Sequence, residues 1–243
     1  MAERCGWVGD DPLYIAYHDT EWGVPVHDSK ALYAKLILDG FQAGLAWITI
    51  LRKREGFYRA FEGLDPDRIA DWGEDEVQRC LVDAGIVRHR GKIEAAIGNA
   101  RAWRRIEAER GFSPFLWDFV DGRPLQPTPR SLADIPAATP VSEAMSKALK
   151  QAGFRFCGPT IVYAFMQAVG MVNDHVVDCP RYGDLAGPTH QEPLDARSRG
   201  AHHDSSLAAA ASGVAVVVRD HASPVGPVDG TEAEPGLDHP DRP

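Results

Sequence analysis

Long apolar runs and cysteines are both scarce in this sequence. No stretch approaches the roughly 18 apolar residues that a membrane-spanning helix needs, and the N-terminus has no apolar run of signal-peptide length. We therefore expect a cytoplasmic protein without a membrane segment. In a reducing compartment, the four cysteines among 243 residues are more often free thiols or metal ligands than disulfides. The cysteine content is thus compatible with a metal site.

Acidic residues outnumber basic ones, and the formal net charge at pH 7 is −9. This balance argues against a nucleic acid partner, because phosphates are also negative. The charge is uneven, however, since residues 186–243 hold nine acidic residues against four arginines. Basic residues gather at 52–54, 88–92 and 101–105. These clusters form either a phosphate-binding face or ordinary solvated helix surface, and for the third cluster we favour the second alternative.

Helical signals dominate up to Leu185, whereas strand-like alternation is scarce. Asp65-Pro66 and Thr139-Pro140 each combine an N-cap residue with a proline at the first helical position. Apolar residues recur every three or four positions over 93–104, which predicts a helix of about five turns. The proline-rich segment 121–140 is expected to be a surface loop between two helical groups. The pattern predicts an all-α domain with two lobes.

The composition changes after Leu185 to Pro, Gly, Ala, Asp and His with little periodicity. Such a mixture cannot bury enough apolar surface to offset the entropy lost on folding. We therefore divide the chain into a helical domain, residues 1–185, and a disordered acidic tail, residues 186–243.

Two Cys/His pairs have the spacing of metal ligands. His175 and Cys179 lie four positions apart, which places them on one helix face if this segment is helical. Cys5 and His18 form a second pair, and the two pairs supply the Cys₂His₂ set of a closed structural zinc site. By spacing alone, buried cysteines and hydrogen-bonded histidines without a metal are an equally good interpretation.

Aromatic residues form a second group of candidates. Clustered aromatics usually belong to a core, but an enzyme that extrudes a base from DNA also needs flat surfaces for stacking and a polar group to read the base. Asp39 is the polar candidate, because a carboxylate near a helix C-terminus opposes the helix dipole and is unfavourable without another role. The aromatic candidates are Trp7, Tyr14, Tyr17, Trp22 and Trp47.

The segment from Gly153 to Thr160 lies between two predicted helices and contains a second glycine, Gly158. This pattern fits a helix-hairpin-helix turn that directs backbone N–H groups at the start of the second helix toward a DNA phosphate. We assign Gly153, Gly158 and Thr160 to this contact. An ordinary corner between two helices is an equally good explanation.

Longer motifs occur at residues 3–7 (Glu-Arg-Cys-Gly-Trp), 17–25 (Tyr-His-Asp-x-Glu-Trp-Gly-Val-Pro), 42–47 (Gln-Ala-Gly-Leu-Ala-Trp) and 173–175 (Asn-Asp-His). Together they resemble the DNA-3-methyladenine glycosylase I family, and residues 86–93 match it too. The resemblance covers nearly all of residues 2–183 and excludes the tail. It implies a two-lobed helix-hairpin-helix DNA glycosylase fold in which a zinc ion links the N-terminal and C-terminal regions of the domain.

The resemblance also implies roles for individual residues. Asp39 takes the position of the carboxylate that reads the base, where many family members carry Glu. One structural zinc ion is expected on Cys5, His18, His175 and Cys179. The aromatic residues of the base pocket are then Trp7, Tyr17, Trp22 and Trp47.

The activity so implied is hydrolysis of the N-glycosidic bond of 3-methyladenine in alkylated double-stranded DNA by a monomer. Because this base leaves readily, no strong general acid is needed, and no lysine is obviously placed as a Schiff-base nucleophile. We therefore expect a monofunctional enzyme. Asp174 either stabilises the sugar cation or caps a helix beside the metal. The alternatives are a non-catalytic, zinc-containing DNA-binding module and a zinc enzyme that acts on small nucleobases.

Overall fold

The computed structural model describes residues 4–186. Residues 1–3 and 187–243 lie outside the described part, so nearly all of the expected tail does too. The predicted all-α class is confirmed within the described range, where the helices are connected by turns and the extended pairing amounts to one bridge between Leu125 and Val172. The α-helices of this range are α1 Pro12–Thr20, α2 Ser29–Gln42, α3 Trp47–Ala60, α4 Pro66–Ile69, α5 Glu74–Val82, α6 Arg90–Arg110, α7 Phe112–Trp117, α8 Pro140–Gln151, α9 Pro159–Ala168 and α10 Pro180–Leu185.

Capping residues set several helix starts as the sequence predicts. The Asp65 side chain accepts a hydrogen bond from the Asp67 N–H, and Thr139 accepts one from Ser142. Asp11 caps α1 in the same way. Apolar periodicity does not predict helix α1, because only Tyr17 and His18 are buried along it and it has no continuous apolar stripe.

Helix α2 runs through the centre of the domain and packs against α3, α6 and α9. Nine of its residues, from Leu32 to Phe41, are buried. The buried Tyr33 hydroxyl donates to the Ala96 carbonyl of α6 at 2.9 Å. Each large apolar side chain that is fully buried contributes about 1.5–3 kcal/mol to the stability of the fold relative to an exposed one. Burial on both faces of α2 therefore fixes this helix in the core.

The hairpin between α8 and α9 is fixed by burial of its turn. Phe154 and Cys157 are buried, and Ser146 Oγ donates to the Cys157 carbonyl at 2.6 Å. Gly153 has a φ of 98°, a left-handed conformation that glycine adopts without steric cost. The turn therefore brings α9 back along α8.

The segment between Asp121 and Thr139 is mainly loop, as predicted, with a short 3-10 helix at Leu132–Asp134. Leu125 joins it to the chain after α9, donating to the Met171 carbonyl at 2.9 Å and accepting from the Asn173 N–H at 2.9 Å. Along the described range, no helix combines the length and the apolar character required to cross a membrane.

Candidate functional site

Four side chains from opposite ends of the described range converge on one point. The candidate ligand atoms of Cys5, His18, His175 and Cys179 lie within 4.8 Å of one another, and all four residues are buried. Cys5 Sγ is 3.6 Å from His175 Nδ1, and Cys179 Sγ is 3.6 Å from His18 Nε2. Zinc bond lengths of roughly 2.1 Å to nitrogen and 2.3 Å to sulfur place tetrahedral ligands about 3.6 Å apart. This Cys/His group therefore has the spacing to hold a metal ion.

The hydrogen bonds of the two imidazoles also suit a metal. His18 Nδ1 lies 2.8 Å from Asp19 Oδ1, and His175 Nε2 lies 3.2 Å from the Trp22 carbonyl. If these nitrogens carry the ring protons, the other nitrogen of each ring presents a lone pair to the group, as metal-binding histidines do. Burial lowers the pKa of His175 to about 4, so this ring is neutral at pH 7.

The cysteines fit the same interpretation. Burial raises the pKa of the Cys5 thiol to about 12, which disfavours the thiolate in the absence of a cation. A coordinated metal ion deprotonates a thiol outright. The donor set, its spacing and its outer hydrogen bonds thus agree with one metal ion held by four protein ligands.

The segment that holds His175 and Cys179 is not helical, so the condition attached to their spacing is not met. Residues 171–179 form bends, one bridge and a turn, and α10 begins only at Pro180. Cys179 adopts φ −77° and ψ 131°, because a residue before proline is disfavoured from the helical region. The Cys179 N–H instead donates to the Val176 carbonyl at 2.8 Å, and this turn brings the two ligands together.

A cavity of about 260 Å³ lies beside the Cys/His group. Asp39 lines it together with all five aromatic candidates. The rings of Trp7 and Trp22 meet edge to face with centroids 5.1 Å apart, and those of Tyr17 and Trp47 are 5.5 Å apart. The remaining lining residues are Lys35, Gln42, Leu132, Ile135, Ala164, Gln167 and Ala168.

The cavity and the Cys/His group share a wall. The Trp7 ring lies 5.4 Å from the His18 ring, and the Trp22 ring lies 4.5 Å from the His175 ring, measured between centroids. Two tryptophans therefore contact the cavity on one side and the histidines on the other.

Asp39 is almost fully buried, with 1% of its surface exposed. Its Oδ1 accepts a hydrogen bond from Lys35 Nζ, one helical turn earlier, whereas Oδ2 has no partner among the described residues. Burial raises the pKa of Asp39, and the Lys35 ammonium opposes that rise. Trp47 Nε1, on another lining residue, is likewise buried without a partner in the described range. Unpaired buried groups of this kind are uncommon in proteins, and a ligand can complete them.

Lys35 was not among the sequence candidates. Its Nζ lies 4.1 Å from the centre of the Trp47 ring in addition to its contact with Asp39. The sequence does indicate its contact with Asp39, because Lys35 stands four positions earlier and residues at that spacing on a helix are neighbours. Its approach to Trp47, by contrast, depends on how α2 packs against α3.

Asp174 caps none of the helices between residues 4 and 186, contrary to one of the two alternatives. It is buried and accepts hydrogen bonds from the Tyr163 hydroxyl at 2.6 Å and from Gln167 Nε2 at 2.8 Å. Since Gln167 lines the cavity, Asp174 orients a cavity residue.

Two of the hairpin candidates, Gly158 and Thr160, lie at the beginning of α9, and Gly153 lies in the turn after α8. Gly158 is the N-cap of α9 and makes no side-chain cap, while Thr160 and Gly153 are exposed. All three basic clusters have members used within the fold: Arg52 pairs with Asp11, Arg90 pairs with Glu74, and Arg101 donates to backbone carbonyls. The phosphate contact therefore stays a prediction that rests on the hairpin.

Comparison with known proteins gives consistent matches. The profile of the methyladenine glycosylase family matches residues 7–182. DNA-3-methyladenine glycosylase 1 of Escherichia coli is 55% identical over 181 residues, which cover 74% of this chain and 97% of that protein. A crystal structure of a 3-methyladenine DNA glycosylase I superposes with a TM-score of 0.72 at 54% identity, covering 73% of this chain and 98% of the other.

A third match is a solved structure of 3-methyladenine DNA glycosylase I from Staphylococcus aureus, which gives the structural basis of 3-methyladenine recognition by that enzyme. It is 38% identical with a TM-score of 0.71, and the alignment covers 72% of this chain and 94% of the other.

Proposed function

The chain belongs to the methyladenine glycosylase family, and we propose that it hydrolyses the N-glycosidic bond of 3-methyladenine in alkylated double-stranded DNA. The observation that carries this proposal is the aromatic cavity with a buried carboxylate on its wall. An extruded purine needs a flat surface for stacking and a polar group for its edge, and this cavity offers both. The named activities of the relatives support the same reaction.

In the proposed mechanism, the rings of the cavity stack the extruded base and Asp39 accepts a hydrogen bond from its edge. Asp39 Oδ2 is available for this contact because Lys35 engages only Oδ1. A base alkylated at N3 is cationic, so it leaves the sugar as a neutral molecule without a strong general acid. Water then adds to C1′ of the sugar and loses a proton, which completes hydrolysis.

The reaction is monofunctional in this proposal, with no cleavage of the DNA strand by the enzyme. Strand cleavage would need an unprotonated amine to attack C1′. Lys35 is the lysine on the cavity wall. Burial lowers its pKa, but its ion pair with Asp39 opposes that change and engages the nitrogen that would have to attack C1′.

We assign the Cys/His group to one structural zinc ion. Four protein donors leave no coordination position for water, so the bound ion cross-links the fold and does not activate a nucleophile. The residues that hold it are Cys5, His18, His175 and Cys179. The group ties residues near the beginning of the domain to those near its end.

The hairpin supplies the DNA contact in this proposal. Gly158 and Thr160 present backbone at the start of α9, where unpaired N–H groups and the helix dipole favour a phosphate. Gly153 permits the tight turn before it. We expect residues 1–185 to bind DNA as a monomer without the acidic tail.

A base-release assay tests the proposal. The full chain is incubated with methylated duplex DNA, and free 3-methyladenine is quantified by chromatography. Asp39→Ala should remain folded and lose at least about 10-fold in kcat/KM, since a hydrogen bond to a charged group contributes about 1.5–3 kcal/mol. Glu109→Ala removes an exposed carboxylate on α6 and serves as the control.

Absence of 3-methyladenine release by the metal-loaded wild type would refute the proposed reaction. Duplex binding without release would instead support the second candidate, a non-catalytic DNA-binding module, for which the hairpin is the supporting observation.

A further inference from the structure

A lysine lies within the candidate base pocket and contacts its carboxylate. Lys35 Nζ donates to Asp39 Oδ1 and lies 4.1 Å from the centre of the Trp47 ring. The lysine side chain is 17% exposed and that of Asp39 is 2% exposed. Both members of the pair line the cavity, so a bound base would meet an ammonium as well as a carboxylate.

The pair changes the charge that the pocket presents. A lone carboxylate would favour a cationic base strongly, whereas an ion pair has no net charge. At an effective dielectric constant of about 20, a unit charge about 6 Å away changes a binding constant by roughly 100-fold. Partial access to solvent reduces this effect, and we take about 10-fold as the expected size for Lys35.

Packing alone does not account for this arrangement. Lys35 covers the face of Trp47, but an uncharged side chain of the same length would do so without the cost of removing an ammonium from water. The ammonium also occupies one of the two carboxylate oxygens and leaves the other without a partner among the described residues. The cancelled charge and the unpaired oxygen both affect how a ligand binds more than how the fold is stabilised.

We propose that Lys35 is a specificity-determining residue that cancels the charge of Asp39, so that the pocket accepts neutral purine bases nearly as well as cationic ones. The pocket then discriminates less between the cationic base of the substrate and neutral 3-methyladenine, the form in which this base leaves the sugar. This inference rests on the proposed function, because it assumes that the cavity binds the excised base.

Two small ligands that differ in charge provide the test. Neutral 3-methyladenine and the permanently cationic 3,9-dimethyladeninium ion are titrated into the full-length, metal-loaded protein by calorimetry. The measured quantity is the ratio of the two dissociation constants, because a general loss of pocket structure weakens both ligands and leaves the ratio unmoved.

Lys35→Met should increase the preference for the cation about 10-fold, since methionine keeps the length of the side chain and removes its charge. Lys35→Arg should leave the preference unchanged. Asp39→Asn should move it in the opposite direction, because the ammonium then acts alone. Lys30→Met is the matched control: it is the same substitution on the same helix, and Lys30 pairs with Asp65 outside the cavity.

A cation preference in Lys35→Met within twofold of the wild type would overturn the inference while leaving base excision intact. If neither ligand bound to any variant and no base were released from methylated DNA, the proposed function would be overturned and the inference with it. If Lys35→Met fails to fold, Lys35→Gln takes its place, because it also removes the charge, and the same twofold criterion applies.

Discussion

Loss of one ligand of the Cys/His group should release the metal and destabilise the fold. Cys179 is the sharpest choice, because its Sγ lies 3.6 Å from His18 Nε2 and 3.7 Å from His175 Nδ1. Replacing it with alanine leaves three donors and a gap in a fully buried group. We expect Cys179→Ala to purify with less than one equivalent of zinc and to unfold at a lower temperature.

The size of the effect follows from linkage between binding and folding. A ligand that binds only the folded state at a free concentration of 1,000 Kd stabilises it by about 4.1 kcal/mol. A domain of this size changes its Tm by about 2–4 °C for each kcal/mol. Removal of the metal should therefore lower the Tm by about 8–16 °C.

The assay is thermal unfolding followed by circular dichroism, with and without a strong chelator, and with zinc content measured on the same samples. Cys80→Ala is the matched control, because Cys80 is equally buried, with 1% exposure, but belongs to the core cluster around α2. The control should lose stability through its cavity and keep its response to chelator. Equal zinc contents and equal chelator responses in the two variants would refute the assignment of the metal site.

Two further predictions concern backbone geometry and pH. Gly170→Ala should destabilise the protein by at least about 1–3 kcal/mol, because φ is 71° and a Cβ would lie 2.5 Å from the Pro25 nitrogen. Urea unfolding would show this, and Gly98→Ala, where a Cβ meets nothing within 4 Å, should instead stabilise α6; equal effects would contradict the account. Base excision should fall on acidification at a pH above the ordinary aspartate range, because burial raises the pKa of Asp39 and protonation removes the acceptor. Lys35→Met should move this decline to higher pH, since the ammonium holds the pKa down, and an unmoved pH profile would argue against Asp39 as the titrating group.

Local signals in the sequence predicted the helix starts because capping depends on a few adjacent residues. Asp65 and Thr139 each accept a hydrogen bond from an N–H two or three residues later, whatever the rest of the fold does. The same holds between His175 and Cys179, where Pro180 is the local signal against a helix. In each case the deciding interaction lies within a few residues.

Long-range contacts were not accessible in the same way. Cys5 and His175 are 170 positions apart, and four buried cysteines offer no local feature that separates the Cys/His group from Cys80 and Cys157. For this reason spacing alone left the metal as one of two alternatives. Lys35 is only partly such a case, because its contact with Asp39 follows from their spacing on one helix, whereas its approach to Trp47 depends on another helix.

The Cys/His group and the pocket depend on the same stretch of chain. Helix α1 buries only two of its residues, so its own apolar surface contributes little to its stability. What holds it is the Asp11 cap, the packing of Trp7 and Trp22 and the convergence of its His18 with the two cysteines. Loosening the Cys/His group therefore frees the rings that line the cavity. A structural ion that performs no chemistry would thus control base binding, because ordering of this segment and assembly of the pocket are the same equilibrium.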